Sequence, residues 1–159
     1  MTRTTGETRS LTIISGGQTG ADRAALDWAI AHHLEHGGWC PAGRLAEDGS
    51  IPERYRLSET QSSAYPERTR FNVEESDATL VVSPHPPEGG TMLTVRFARE
   101  LGKPVLIVTR ENEAESPDQF REFLRSHEVR VLNVAGPRAS GSPEVADMVA
   151  RLLDRGLGD

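Results

Sequence analysis

Leu11-Thr12-Ile13-Ile14-Ser15-Gly16-Gly17-Gln18-Thr19-Gly20-Ala21-Asp22 is the stretch that decides the fold. Its apolar opening has the length and composition of a buried strand, and it breaks into glycines just before a helical pattern begins. That pattern runs over residues 21–35, with Ala24, Ala25, Trp28, Ala29 and Ile30 at helical spacing and Gly37-Gly38 as its stop. A strand thus delivers a glycine-rich turn onto a helix N-terminus, where free amides and the positive end of the helix dipole favour an anion. Gly16 and Gly17 let a ligand approach the main chain, Ser15, Gln18 and Thr19 add side-chain donors, and Gly20 permits close packing of helix on strand. The same glycines also suit a tight βα turn with no ligand. There is no Gly-x-Gly-x-x-Gly, and no Gly-Lys-Ser/Thr follows, which sets the turn apart from the commonest phosphate loops.

The design recurs. Residues 11–15, 78–83, 104–109 and 129–134 are β-rich apolar runs, each followed by a turn and a helix signal. Strands apolar on both faces that alternate with helices predict an α/β fold: a doubly wound, mostly parallel sheet with helices on both sides. Helices are expected over residues 65–76 and 91–101, the latter closed by Gly102-Lys103-Pro104. Two more begin at Ser116-Pro117-Asp118-Gln119, read as N-cap, first-turn proline and capping-box glutamine, and at Ser142-Pro143. The Met and Phe residues on these helices read as core. Trp39-Cys40-Pro41 reads as a short second strand and residues 55–60 as a third at the sheet edge. Residues 42–52 are polar and aperiodic, a loop long enough to suggest a function.

After the strand at 78–83 comes Ser83-Pro84-His85-Pro86-Pro87-Glu88-Gly89-Gly90-Thr91, and a helix follows at once. Ligands of doubly wound sheets bind outside the carboxyl ends of strands where the strand order reverses. If this strand and the first are neighbours there, both turns face one crevice, with Ser83, Gly89, Gly90 and Thr91 opposite residues 15–20. Without a ligand, the second turn is a capped helix behind a proline-stiffened loop.

At 159 residues the chain suits one domain, residues 11–159, behind a polar tail at residues 1–10 that has no secretory-signal character. Its 18 basic and 24 acidic residues give a net charge of −6 and its mean hydropathy is −0.49, so neither a nucleic-acid footprint nor a membrane span is expected. One cysteine, Cys40, excludes an internal disulfide and fits a cytoplasmic protein. Arg68, Arg70, Arg96 and Arg99 are the cations suited to a bound anion. Asp22 suits the first helical turn through the dipole alone, and also suits a ribose hydroxyl or a magnesium-bound water. His32, His33 and His36 have no Cys or carboxylate cluster to complete a metal site, and no catalytic constellation is discernible.

With Ser15 to Asp22 as quoted, Arg68-Thr-Arg-Phe-Asn72-Val, Ser76-Asp77-Ala-Thr-Leu, Gly89-Gly90-Thr91 and Gly102-Lys103-Pro104-Val105, the chain resembles the molybdenum-carrier family. That family is similar to the YpsA-type branch of the SLOG superfamily of Rossmann-like domains. The resemblance implies a Rossmann-like, often oligomeric domain whose ligand is a molybdenum species, either molybdate or the phosphate-bearing molybdenum cofactor. Gly16, Gly17, Gln18, Thr19 and Gly20 would form one half of the pocket, and Gly89, Gly90 and Thr91 the other, with Arg68, from the family-like Arg-Thr-x-x-Asn segment, first among the cations. Two alternatives stand beside this: a nucleotide-binding sensor and, from the same superfamily, a LOG-type hydrolase of nucleoside monophosphates. The hydrolases place a glutamate shortly after a Pro-Gly-Gly-x-Gly-Thr turn. Here the turn reads Glu88-Gly89-Gly90, and the residue three after Thr91 is Thr94, so the expected carboxylate is absent. A binding protein without chemistry of its own is the expectation.

Overall fold

The computed structural model describes residues 10–158, so the predicted tail lies outside the described residues except for Ser10. A five-stranded, wholly parallel sheet is formed by β1 (Thr12–Ile14), β2 (Glu35–Gly37), β7 (Ala78–Val82), β8 (Val105–Val108) and β9 (Val131–Ala135). Its order is β2-β1-β9-β7-β8. The helices are α1 (Ala21–Ala31), α2 (Tyr65–Glu74), α3 (Gly89–Glu100), α4 (Ser116–Ser126) and α5 (Val145–Leu157). α1, α4 and α5 bury Ala25, Phe120, Val149 and Leu153 against one face of the sheet, while α2 and α3 pack together on the other. Each large apolar side chain fully buried this way contributes about 1.5–3 kcal/mol.

The strand order corrects the expected neighbourhood of the two glycine turns. β1 and β7 do not touch; the last strand, β9, is inserted between them and pairs with both. Counted from β9 as if the chain began there, the order becomes 3-2-1-4-5, that of a nucleotide-binding doubly wound sheet. The reversal then falls at β9, in which the buried Asn133 is the one polar residue of Val131–Ala135.

Other local readings shift for identifiable reasons. The first helix stops at Ala31 rather than at residue 35, because His33 turns into the left-handed region at φ 60° and Leu34 drops into the core. The second sheet strand is therefore Glu35–Gly37. β3 (Trp39–Cys40) instead pairs with β6 (Ser58–Glu59) in a separate two-stranded parallel sheet, so the strand expected at the sheet edge over residues 55–60 is not there. The polar loop at 42–52 holds a small antiparallel hairpin, β4 (Leu45–Ala46) and β5 (Gly49–Ser50), seated on a satellite core of Leu26, Cys40, Ile51 and Tyr55. Ser116 does not cap α4: Glu115 takes that position, and the Ser116 hydroxyl donates to the Glu113 carbonyl at 2.7 Å. Phe120 and Met148 are core, whereas Met92, Leu93, Phe97 and Phe123 are only half-buried.

Candidate functional site

A cavity of about 570 Å³ opens at the carboxyl ends of β1, β9 and β7. Gly16 and Gln18 from the first turn, Gly89, Gly90 and Thr91 from the second, and Asp22 and Arg68 all line it. The two turns thus meet in one crevice although their strands are not adjacent, because β9 forms the floor between them with Asn133, Val134 and Ala135.

The remaining predicted residues shape the loops instead of facing the cavity. Ser15 is fully buried and its hydroxyl donates to the Asp22 carbonyl at 3.0 Å. Gly17, at φ 80°, points away from the crevice: a Cβ there would lie 2.6 Å from Leu57 and 3.0 Å from Ile51. Thr19 gives its hydroxyl to Glu47 and accepts the Ala139 amide at 3.1 Å. Gly20 permits close packing, but on the loop after β9 and not on a strand, since a Cβ would lie 2.5 Å from the Pro137 carbonyl. Ser83 is buried, its amide bonded to the Val108 carbonyl at 3.0 Å.

The first turn also spends its amides differently from expectation. Gln18 donates its amide to the Asp22 carboxylate at 3.2 Å, and the Gly16 amide contributes to the same group. The nest is filled by the protein's own carboxylate. Asp22 is only 6% exposed, and burial pushes its pKa up to about 6 against the opposing pull of Arg68, the two amides and Arg23. Arg68 packs over Gly16, so close that a Cβ would overlap its guanidinium. It approaches Asp22 at 3.5 Å and the Tyr65 ring at 5.0 Å. Its Nε is buried and has no hydrogen-bond partner.

The second turn is less committed. α3 starts at Gly89 with Glu88 as an N-cap that makes no side-chain bond, and the Gly89 and Gly90 amides find no acceptor among the described residues. This is the open anion-favouring end of the crevice.

The loop from β9 into α5 was not anticipated as part of the site. Gly136 and the exposed Arg138 come from it. Gly136 sits where a Cβ would lie 2.2 Å from the Val82 carbonyl, so only glycine lets the loop cross the end of β7. The signal was present: Gly136-Pro137 after an apolar strand and Gly141-Ser142-Pro143 before a helix repeat the grammar of the other two turns. Glu47 ties this loop to the hairpin, accepting from the Ser140 amide at 3.1 Å and its hydroxyl at 2.6 Å, while Arg23 pairs with Asp48 through both nitrogens at 2.6 and 2.8 Å. Those hydrogen bonds from Ser140 and Thr19 hold the Glu47 carboxyl below its usual range.

Elsewhere, Arg70 pairs with Glu74 at 3.0 Å, and Arg96 and Arg99 are exposed on α3 outside the cavity. His32 stacks on Trp28, His36 accepts the Arg56 amide at 3.1 Å, and no group of three metal-ligating side chains occurs among the described residues. Burial in the satellite core pushes the Cys40 thiol up. No helix among the described residues is long and apolar enough to cross a membrane.

A parallel sheet in permuted order, with its crevice at the reversal, defines a Rossmann-like domain of the SLOG type. The chain belongs to the circularly permutated YpsA SLOG family, whose model matches residues 13–157. It is 45% identical to a protein from Syntrophus aciditrophicus SB whose 1.45 Å crystal structure is named "Putative molybdenum carrier protein"; the match covers 94% of this chain and 96% of that one, with a TM-score of 0.91. No curated protein matches the chain.

Proposed function

We propose that the protein binds a small phosphate-bearing organic molecule in the crevice at the ends of β1, β9 and β7, with a molybdenum species in its phosphorylated, cofactor-bound form as the ligand suggested by kinship. The observation that carries this reading is the convergence, in one cavity of about 570 Å³, of the open amide end of α3 and the Arg68 guanidinium. A bare tetrahedral oxyanion would leave most of that volume unfilled, whereas it falls in the range of sites for ligands of drug or cofactor size. Gly89, Gly90 and Thr91 would take the phosphate, with Arg68 and Arg138 as the neighbouring cations.

The charged groups lining the cavity are Asp22, Arg68, Glu88 and Arg138, which sum to zero with Asp22 ionised. Selectivity therefore rests on directed donors more than on net field. The second reading, a nucleotide sensor, is favoured by the same volume and the 3-2-1-4-5 order counted from β9. A cytoplasmic location, suggested by the lone cysteine, and self-association, suggested by the family resemblance, belong to this proposal.

Gly90→Leu tests the site. A Cβ at Gly90 meets nothing within 4 Å, so the variant should keep its melting temperature while its side chain covers the α3 terminus. Calorimetric titration with adenosine 5′-monophosphate and with inorganic phosphate should show binding to the unmodified protein and a loss of about tenfold or more in the variant. Equal affinities in the two proteins would refute the site.

A further inference from the structure

Asp22 is an unusual occupant for an anion-binding crevice: a nine-tenths-buried carboxylate on its wall, held by main-chain amides and facing the space a ligand would fill. A carboxylate offers about four lone-pair sites. The Gln18 amide, the Gly16 amide and the Arg68 guanidinium at 3.5 Å account for three at most, leaving acceptor capacity toward the cavity. It cannot take an anionic group from the ligand, and the neighbouring amides it occupies are no longer available to one. The crevice is therefore polarised. Its α3 end presents unsatisfied donors, and its β1 end presents an acceptor.

The topology says what that acceptor faces. With β9 counted first, β1 is the second strand, and a carboxylate beyond the carboxyl end of the second strand is where dinucleotide-binding sheets hold ribose hydroxyls. Here that carboxylate comes from the first turn of α1, brought to the crevice by the tight Gly16–Gly20 bend.

We infer that Asp22 accepts hydrogen bonds from the adjacent hydroxyls of a phosphorylated sugar whose phosphate lies at the N-terminus of α3, so that the site selects sugar phosphates and nucleoside monophosphates over bare oxyanions. This inference rests on the proposed crevice, adds to it a direction for the ligand and a donor requirement, and favours the nucleotide reading of that crevice over a pterin phosphate, which has no adjacent sugar hydroxyls. Mechanistically, an ionised carboxylate that loses its hydroxyl partners stays buried beside the ligand, which is why a ligand lacking them is rejected strongly.

The test is a cycle on the intact protein, using adenosine 5′-monophosphate, its 2′,3′-dideoxy analogue and inorganic phosphate as probes, with Asp22→Asn as the variant. The unmodified protein should bind the dideoxy analogue about tenfold or more weaker than the nucleotide. Asp22→Asn should weaken the nucleotide by a similar factor, leave the dideoxy analogue unchanged, and hold or improve inorganic phosphate, since a negative charge has gone. The ligand-side comparison needs no variant, so a misfolded Asp22→Asn protein leaves it standing. Equal binding of the nucleotide and its dideoxy analogue would overturn the inference, as would a uniform loss of all three probes in Asp22→Asn, the signature of a merely structural residue. Absence of nucleotide binding to the unmodified protein would overturn the inference together with the proposed site, whereas the two preceding outcomes spare that site.

Discussion

At the scale of single residues, Asp22 and Arg68 carry most of what the site can do. Both were readable as candidates from sequence, Arg68 from its place in a family-like segment and Asp22 from the first helical turn. Their pairing across 46 residues was not, because nothing local records it. The ionised form of Asp22 is penalised by burial, which makes a distinct prediction for stability. Its folded pKa of about 6 exceeds the ordinary 3.8, so its contribution is fully present below the ordinary value and is lost as pH rises through about 6. That window is worth up to about 3 kcal/mol. Asp22→Asn should therefore gain on the unmodified protein between pH 4 and pH 7 when both are unfolded with urea. A stability difference that stays flat with pH would contradict the assignment.

Among elements, the three strand-to-helix turns share one grammar yet do different work. The β7–α3 turn leaves its amides open, the β1–α1 turn closes its amides on Asp22, and the β9–α5 turn crosses between them. The first two are legible in the sequence, whereas the third reads as a helix start, since the glycines at 136 and 141 are spread across a proline-containing loop. Gly17 likewise reads in the sequence as a ligand contact, which the structure does not support. The left-handed backbone there turns the Cα toward Leu57 and Ile51, a feature of tertiary packing that no local pattern reveals. Gly17→Val should consequently act on stability: a β-branched residue at φ 80° costs about 1–3 kcal/mol, or several degrees of melting temperature. Differential scanning calorimetry reads this directly, and an unchanged transition would show the turn to be slack. The hairpin at β4–β5 escaped notice because its strands are two residues each and its hydrophobic contacts come from elsewhere in the chain.

For the molecule as a whole, the α/β class and the parallel sheet were legible because four apolar runs alternate with helix signals. Their order was not. Insertion of the last strand beside the first depends on Gly136 crossing β7 and on Asn133, buried in the sheet, donating to Thr79 at 3.2 Å. The permuted order itself makes a prediction. Opening the chain in the exposed turn at residues 127–128, and joining Gly158 to Ser10 through residue 159 and residues 1–9, creates an uninterrupted 3-2-1-4-5 domain. Leu11 and Leu153 already share one core cluster, and a ten-residue connection reaches up to about 33 Å. The permutant should fold with the same circular dichroism spectrum and bind the same ligand. Loss of cooperative unfolding would mean that the native order of synthesis is needed for the topology.

The central claim is that the crevice holds a phosphorylated organic molecule. Native mass spectrometry with elemental analysis, on protein purified gently beside its Gly90→Leu variant, tests it most directly. The account predicts a bound mass containing phosphorus, with or without molybdenum, on the unmodified protein and none on the variant. An adduct carried equally by both proteins, or molybdate bound without phosphorus, would contradict it.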